Sequence, residues 1–135
     1  MYKIFVAGPM RSSELTVEEN VRVACIEAHK LLSMGYAVYL PHAFHLVEQV
    51  CKKHHLPSLE EKYRSRMLAN DFRWLEDCDA VYRLCGASDG ADAECALAEM
   101  FSIPVFRDIY DLSKQFPIQP NSEIEDVNRN VANGN

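Results

Sequence analysis

A chain of 135 residues, 48% of them hydrophobic and 25% charged, has the balance of an ordinary globular protein and the length of one domain. That length suffices to bury roughly two-thirds of the surface its unfolded chain exposes. A net charge of −6 argues against polymeric nucleic acid, whose backbone wants a basic surface, while leaving room for a small anion held by local donors.

No apolar run approaches the roughly 20 residues a membrane helix needs. Met1-Tyr2-Lys3 leads directly into a strand without a signal-type region, so the expected setting is cytoplasmic. Lys3 to Ala7 (K-I-F-V-A) is a short apolar run that predicts a buried strand, ended by the turn signal Gly8-Pro9. Thr16 with Glu19 forms a capping box, and Val17, Val21, Ala24, Ala28 and Leu31 then recur at helical spacing as far as Gly35. Tyr36 to Leu40 predicts the next strand, closed by Pro41, and completes a right-handed βαβ unit.

From His42 to Pro57 the pattern thins to a short helix around Phe44 to Lys53 and a loop. Ser58 with Glu61 opens a further helix, continued by Tyr63, Met67, Leu68, Phe72 and Leu75 toward Asp77. Asp79 to Leu84 predicts a third strand, Ile103 to Phe106 a fourth, and Ile109 to Gln115 a last helix. Residues 1–118 form the expected domain. After Pro120 the chain is polar and Asn-rich, which predicts a mobile tail over 119–135.

The stretch around which the chain is organised is S-D-G-A-D-A-E-C-A-L-A-E-M-F, Ser88 to Phe101. Ser88-Asp89-Gly90 offers a side-chain oxygen to cap a helix, and Asp92 completes a box-like start. A strand, a tight turn and a helix place a helix N-terminus at the carboxyl end of a strand, where open α/β sheets bind ligands. Glu94 shares a helical face with Leu97, Ala98 and Phe101. It either lies at the edge of that stripe and reaches water, or is an ionised carboxylate held in a cleft for chemistry.

Three other places carry polar groups suited to chemistry. The loop Gly8-Pro9-Met10-Arg11-Ser12-Ser13 has hydroxyls and an arginine that suit a phosphate, though it is neither a P-loop nor a dinucleotide fingerprint; an ordinary exposed loop fits as well. Asp71 lies on the apolar side of its helix and would pair with Glu94 as the two carboxyls of glycosyl chemistry, or be a solvated aspartate. His42, His45, Cys51, His54 and His55 match no common zinc spacing, so no metal is expected. The five cysteines, at 25, 51, 78, 85 and 95, contain no C-x-x-C pair and are expected as reduced, mostly buried thiols.

The segments I-F-V-A-G-P-M-R, D-F-R-W-L-E-D-C-D-A-V and S-D-G-A-D-A-E, in that order, resemble the nucleoside 2-deoxyribosyltransferase superfamily. Its best-known branches are the nucleoside deoxyribosyltransferases and the 2'-deoxynucleoside 5'-monophosphate N-glycosidases. The resemblance covers Lys3 to about Phe106. It implies a doubly wound, flavodoxin/Rossmann-like parallel α/β sheet of four to five strands flanked by helices, in a homodimer. It implies Glu94 as the nucleophile at the anomeric carbon and Asp71 as the group that moves a proton to the base. Gly8, Pro9, Met10 and Arg11 would surround the sugar and its phosphate, with Ser88, Gly90 and Asp92 completing the substrate contacts.

Ser88 matches a phosphate-contacting serine of the hydrolase branch, where the transferases carry an aspartate. The implied activity is therefore N-glycosidic cleavage of a nucleotide, with no metal or organic cofactor. The alternatives are a transferase passing the sugar to a second base and a nucleotide sensor without catalysis. Phe5 stands where the family often has a tyrosine whose hydroxyl positions the nucleophile, and Asp92 replaces a small residue. Glu94 is expected to be ionised at neutral pH. The helix N-terminus favours its charge while burial, Asp89 and Asp92 oppose it, and a rise of about one or two units would still leave it mostly charged.

Overall fold

The structure, a computed structural model, describes residues 1–12, 14–118 and 130–132. Strands β1 (Lys3–Ala7), β2 (Ala37–Tyr39), β3 (Ala80–Arg83) and β4 (Val105–Phe106) form one parallel sheet in the order β2-β1-β3-β4. Between β1 and β2 runs helix α1 (Val17–Ser33). Between β2 and β3 come a 3-10 turn at Pro41–Ala43 and helices α2 (Phe44–Lys53), α3 (Leu59–Lys62) and α4 (Arg64–Glu76). Helix α5 (Asp89–Met100) precedes β4, and α6 (Ile109–Gln115) follows it.

The alternation of side chains along β1 decides how these layers stack. Ile4 and Val6 join Ala24 and Leu31 of α1 and Leu112 of α6 in one core cluster. Phe5 and Ala7 join Leu75 of α4 and Ala91 and Ala98 of α5 in the other. A central parallel strand is therefore apolar at consecutive positions because both of its faces are covered. The doubly wound α/β class expected from the sequence is what forms.

The chain leaves β1 toward β2 on one side and returns to β3 on the other. This reversal creates a crevice at the carboxyl ends of β1 and β3. Helix α1 ends as its glycine predicts: Gly35 has φ +100°, its N–H reaches Leu32 O, and Tyr36 N–H reaches Leu31 O. That contact ties up Tyr36, so β2 is shorter than Tyr36 to Leu40. β4 is shorter than Ile103 to Phe106; Pro104 has no N–H to give a ladder, and β3 stops one residue short of each expected end.

Two expectations are corrected. The helix starting after Ser58 is broken at Tyr63, whose φ of −122° is not helical. Its ring instead lines a cavity with Phe44, Leu59 and Met67 and receives the Lys62 and Arg66 cations on its face. The cysteines are all free, but only Cys78 is buried; Cys25 and Cys85 are exposed and Cys51 and Cys95 intermediate. Burial there pushes the Cys78 thiol up to about 11. The expected tail falls largely on residues 119–129 and 133–135, outside the described residues. No helix among the described residues is long and apolar enough to cross a membrane.

Candidate active site

Two turns interlock at the crevice. A Cβ on Gly8 would meet Leu84 Cβ and Cδ1 at 3.0 Å, and one on Gly86, at φ +113°, would lie 2.8 Å from Pro9 Cγ. The loop after β1 is also held from behind. Buried Asn20 donates from Nδ2 to Met10 O at 3.0 Å and to Ser12 Oγ at 3.2 Å. Buried His42 places Nε2 2.9 Å from Pro9 O, and burial lowers its pKa. Arg11 points outward and makes a two-pronged pair with Glu60 of α3, Nε to Oε1 at 2.8 Å and Nη2 to Oε2 at 2.6 Å. That pair raises the arginine's pKa and lowers the glutamate's through the hydrogen bond they share. Ser13 lies outside the described residues.

On the other side, Ser88 caps α5, its Oγ accepting from Ala91 N–H at 3.1 Å. The nearest atom to a Cβ on Gly90 would be Ser88 Oγ at 3.9 Å, so that glycine is not required by crowding. Asp92 is solvent-exposed and accepts from Arg83 Nη2 at 3.1 Å. Arg83, only 3% exposed, also donates to the carbonyls of Leu84 and Gly86 and so staples the β3–α5 turn.

Glu94 and Asp71 approach the crevice from α5 and α4. Glu94 is partly buried, and its Oε2 has no hydrogen-bond partner among the described residues. Burial first, and the Asp71 charge second, push its carboxyl up to about 8, with Arg83 pulling the other way. Burial acts as expected, but the expected ionisation at neutral pH and the expected neighbours are corrected: Asp92 is answered by Arg83, and the raising neighbour is Asp71. At pH 7 the unliganded Glu94 is mostly protonated.

Asp71 is partly buried, which raises its pKa, while hydrogen bonds from Tyr39 and Asn70 oppose the rise. Tyr39 Oη donates to Asp71 Oδ1 at 3.0 Å and accepts from Asn70 Nδ2 at 2.9 Å. Its ring is stacked between Phe5 (5.4 Å between centroids, 27° between planes) and Trp74 (5.5 Å, 14°). Burial, then Asp71, raise the Tyr39 hydroxyl pKa well above the ordinary tyrosine value. The hydroxyl that Phe5 lacks thus arrives from its register partner on β2, aimed at Asp71. Beside this pair lies a cavity of about 360 Å³ with Phe44, Leu59, Tyr63 and Met67 as walls and Asn70, Asp71 and Arg66 as polar groups.

Of the candidates from the sequence, Glu94 and Asp71 lie close enough for the one charge to act on the other, and Gly8 and Pro9 interlock with Leu84 and Gly86. Asp71 alone of them lines the cavity, Asp92 faces solvent beside Arg83, and Arg11 turns to Glu60. Tyr39, Asn70, Asn20 and Arg83 escaped the sequence reading. Only Arg83 left a signal there, a cation ending an otherwise apolar run, A-V-Y-R-L. The histidines converge on nothing: no group of three His, Cys, Asp or Glu that could hold a metal occurs among the described residues.

A doubly wound α/β domain with two carboxyls at its switch point is the class that fold and site define. The same fold is found in the solved structure of a 2-deoxyribosyltransferase from the psychrotolerant bacterium Bacillus psychrosaccharolyticus. The two are 19% identical, with a TM-score of 0.57 over 87% of this chain and 98% of that one. The chain belongs to the family described as a domain of unknown function, DUF4406, whose model matches residues 2–107. No curated protein matches it.

Proposed function

We propose that the protein cleaves the bond between base and sugar of a (deoxy)nucleoside 5'-monophosphate, with Glu94 as nucleophile and Asp71 as proton carrier to the base. The observation that carries this reading is the coupling of two partly buried carboxyls from different helices, one of them raised to about 8. Pairs of acids whose environments push their pKa values apart are how acid and base roles are divided at neutral pH. The likeness to a 2-deoxyribosyltransferase structure supports chemistry at a nucleoside's anomeric carbon.

One proton shared by the pair closes the chemistry. It leaves Glu94 and reaches Asp71, freeing the Glu94 carboxylate to bond to C1' as the C1'–N bond breaks. The bond's electron pair stays on the base nitrogen, and Asp71 delivers the proton to the base. Water then attacks C1', giving its proton to Asp71 as Glu94 departs. Arg11 and Ser88 hold the 5'-phosphate, Arg11 by sharing or leaving Glu60. The resemblance also leads us to propose a homodimer in a cytoplasmic setting.

A transferase shares the first half of this path and lets a second base replace water, a reading that the 2-deoxyribosyltransferase neighbour favours. Incubating the protein with nucleosides and 5'-monophosphates, with and without an added base, tests both. Free base from a monophosphate alone supports hydrolysis, exchange only with added base supports transfer, and no release from any substrate refutes the enzyme reading.

A further inference from the structure

The polar end of the cavity has a fixed order of donors and acceptors. Tyr39 has a single hydroxyl proton. An ionised Asp71 can only accept, so that proton goes to Asp71 Oδ1, 3.0 Å away. The tyrosine oxygen must then accept from Asn70, which only its Nδ2 can supply, at 2.9 Å. The amide is thereby locked, with its carbonyl Oδ1 on the side away from Tyr39. The ring that enforces the lock is itself immobilised between Phe5 and Trp74. Two adjacent residues of α4 that line the cavity thus offer an acceptor on Asn70 and, once Asp71 carries the shared proton on Oδ2 with Oδ1 still accepting from Tyr39, a donor beside it.

An acceptor next to a proton donor complements an exocyclic amine next to a ring nitrogen. Adenine offers this at N6 and N7, whereas a 6-oxopurine sets a second acceptor against the Asn70 carbonyl. Cytosine offers the same pair at N4 and N3. A cavity of about 360 Å³ with aromatic and aliphatic walls falls within the range of small-molecule sites and admits a bicyclic base.

We infer that the leaving base enters this cavity and that Asn70, locked by Tyr39, selects a 6-aminopurine over a 6-oxopurine. The inference rests on the proposed function for a nucleobase being the occupant. Asn70 is the specificity-determining residue and Tyr39 a positioning residue. A site that pairs a substrate's polar group rejects the analogue that cannot answer it.

The test compares 2'-deoxyadenosine with 2'-deoxyinosine 5'-monophosphate, and 2'-deoxycytidine with 2'-deoxyuridine 5'-monophosphate, in wild type, Tyr39→Phe and Asn70→Ala. Wild type should favour the 6-amino purine by about tenfold or more in kcat/KM. Tyr39→Phe keeps the stack but frees the amide to turn, so the amino-to-oxo ratio should fall toward one, as it should in Asn70→Ala. A merely structural Tyr39 would lower both rates and leave the ratio. A wild-type ratio of one or below, or a ratio unmoved in both variants, overturns the inference. Turnover confined to the cytosine member overturns the purine assignment. If no nucleotide releases base, the enzyme reading fails, and calorimetric Kd values for the two purine nucleotides decide this inference separately. A preference for the amino form upholds it, and equal Kd values overturn it.

Discussion

Glu94 holds its proton far higher on the pH scale than a solvated glutamate, because burial and Asp71 both oppose its charge. Base release needs one proton on the Glu94–Asp71 pair, so kcat/KM should be bell-shaped. It should fall above about 8, where Glu94 loses its proton, and fall on the acid side, where Asp71 gains one. In Asp71→Asn the acid limb should shift, and Glu94 should titrate below about 8, its raising neighbour gone. A profile flat from pH 5 to 9 would contradict the shared proton. At Arg11 the geometry sets up a competition, since Glu60 already occupies two of its donors. Arg11→Ala should raise KM for the monophosphate about tenfold or more and hardly affect the unphosphorylated nucleoside. Glu60→Gln, which leaves the guanidinium without its counter-charge, should lower the monophosphate KM. Equal effects on both substrates would remove Arg11 from the phosphate site.

The β3–α5 turn is the element on which the crevice depends, and Arg83 is its staple. Arg83→Met strands the carbonyls of Leu84 and Gly86 and frees Asp92. The expected loss is about 2 kcal/mol, chiefly from the unmet buried carbonyl of Leu84, read as a lower midpoint in denaturant. It should also carry Glu94 still higher, since Arg83 is the charge that holds it down. An unchanged midpoint would show the turn to be held by Ser88 and the glycines alone. This turn and α1 were legible in the sequence because their signals are local: Thr16, Ser88 and Gly35 act on atoms a few residues away. The break at Tyr63 leaves no local signal, its ring lining a cavity with Phe44 and Met67, residues of two different helices. Arg11–Glu60 and Tyr39–Asp71 were invisible for the same reason, being separated by 49 and 32 residues. Spacing shows which residues share a helix face; it does not show which helix faces which.

For the whole molecule, two apolar strands, a capped helix between them and the organising turn marked an α/β chain, while the doubly wound arrangement was what the family resemblance implied. The carboxyl ends of those strands meet wherever the chain reverses direction, so Glu94 and Asp71 were legible as candidates before their neighbours were. Their pKa values were not, because desolvation is a property of the packed molecule. Desolvation also links the site to stability. The folded molecule binds a proton at Glu94 up to about 8, whereas the unfolded chain releases it near 4.5. The stability this adds is complete below about 4.5 and declines as pH rises through 8. Glu94→Gln should flatten that decline, which denaturant midpoints at pH 5 and 9 would show; parallel slopes in both proteins would place the burial elsewhere. Covalent catalysis by Glu94 is tested most directly by rapid-quench mass spectrometry of the protein mixed with a 2'-deoxynucleoside 5'-monophosphate. The expected result is a transient deoxyribose phosphate bonded to the peptide that contains Glu94, and a Glu94→Gln protein that forms none and loses at least about 10³-fold in kcat. Base released at the wild-type rate by Glu94→Gln would contradict it.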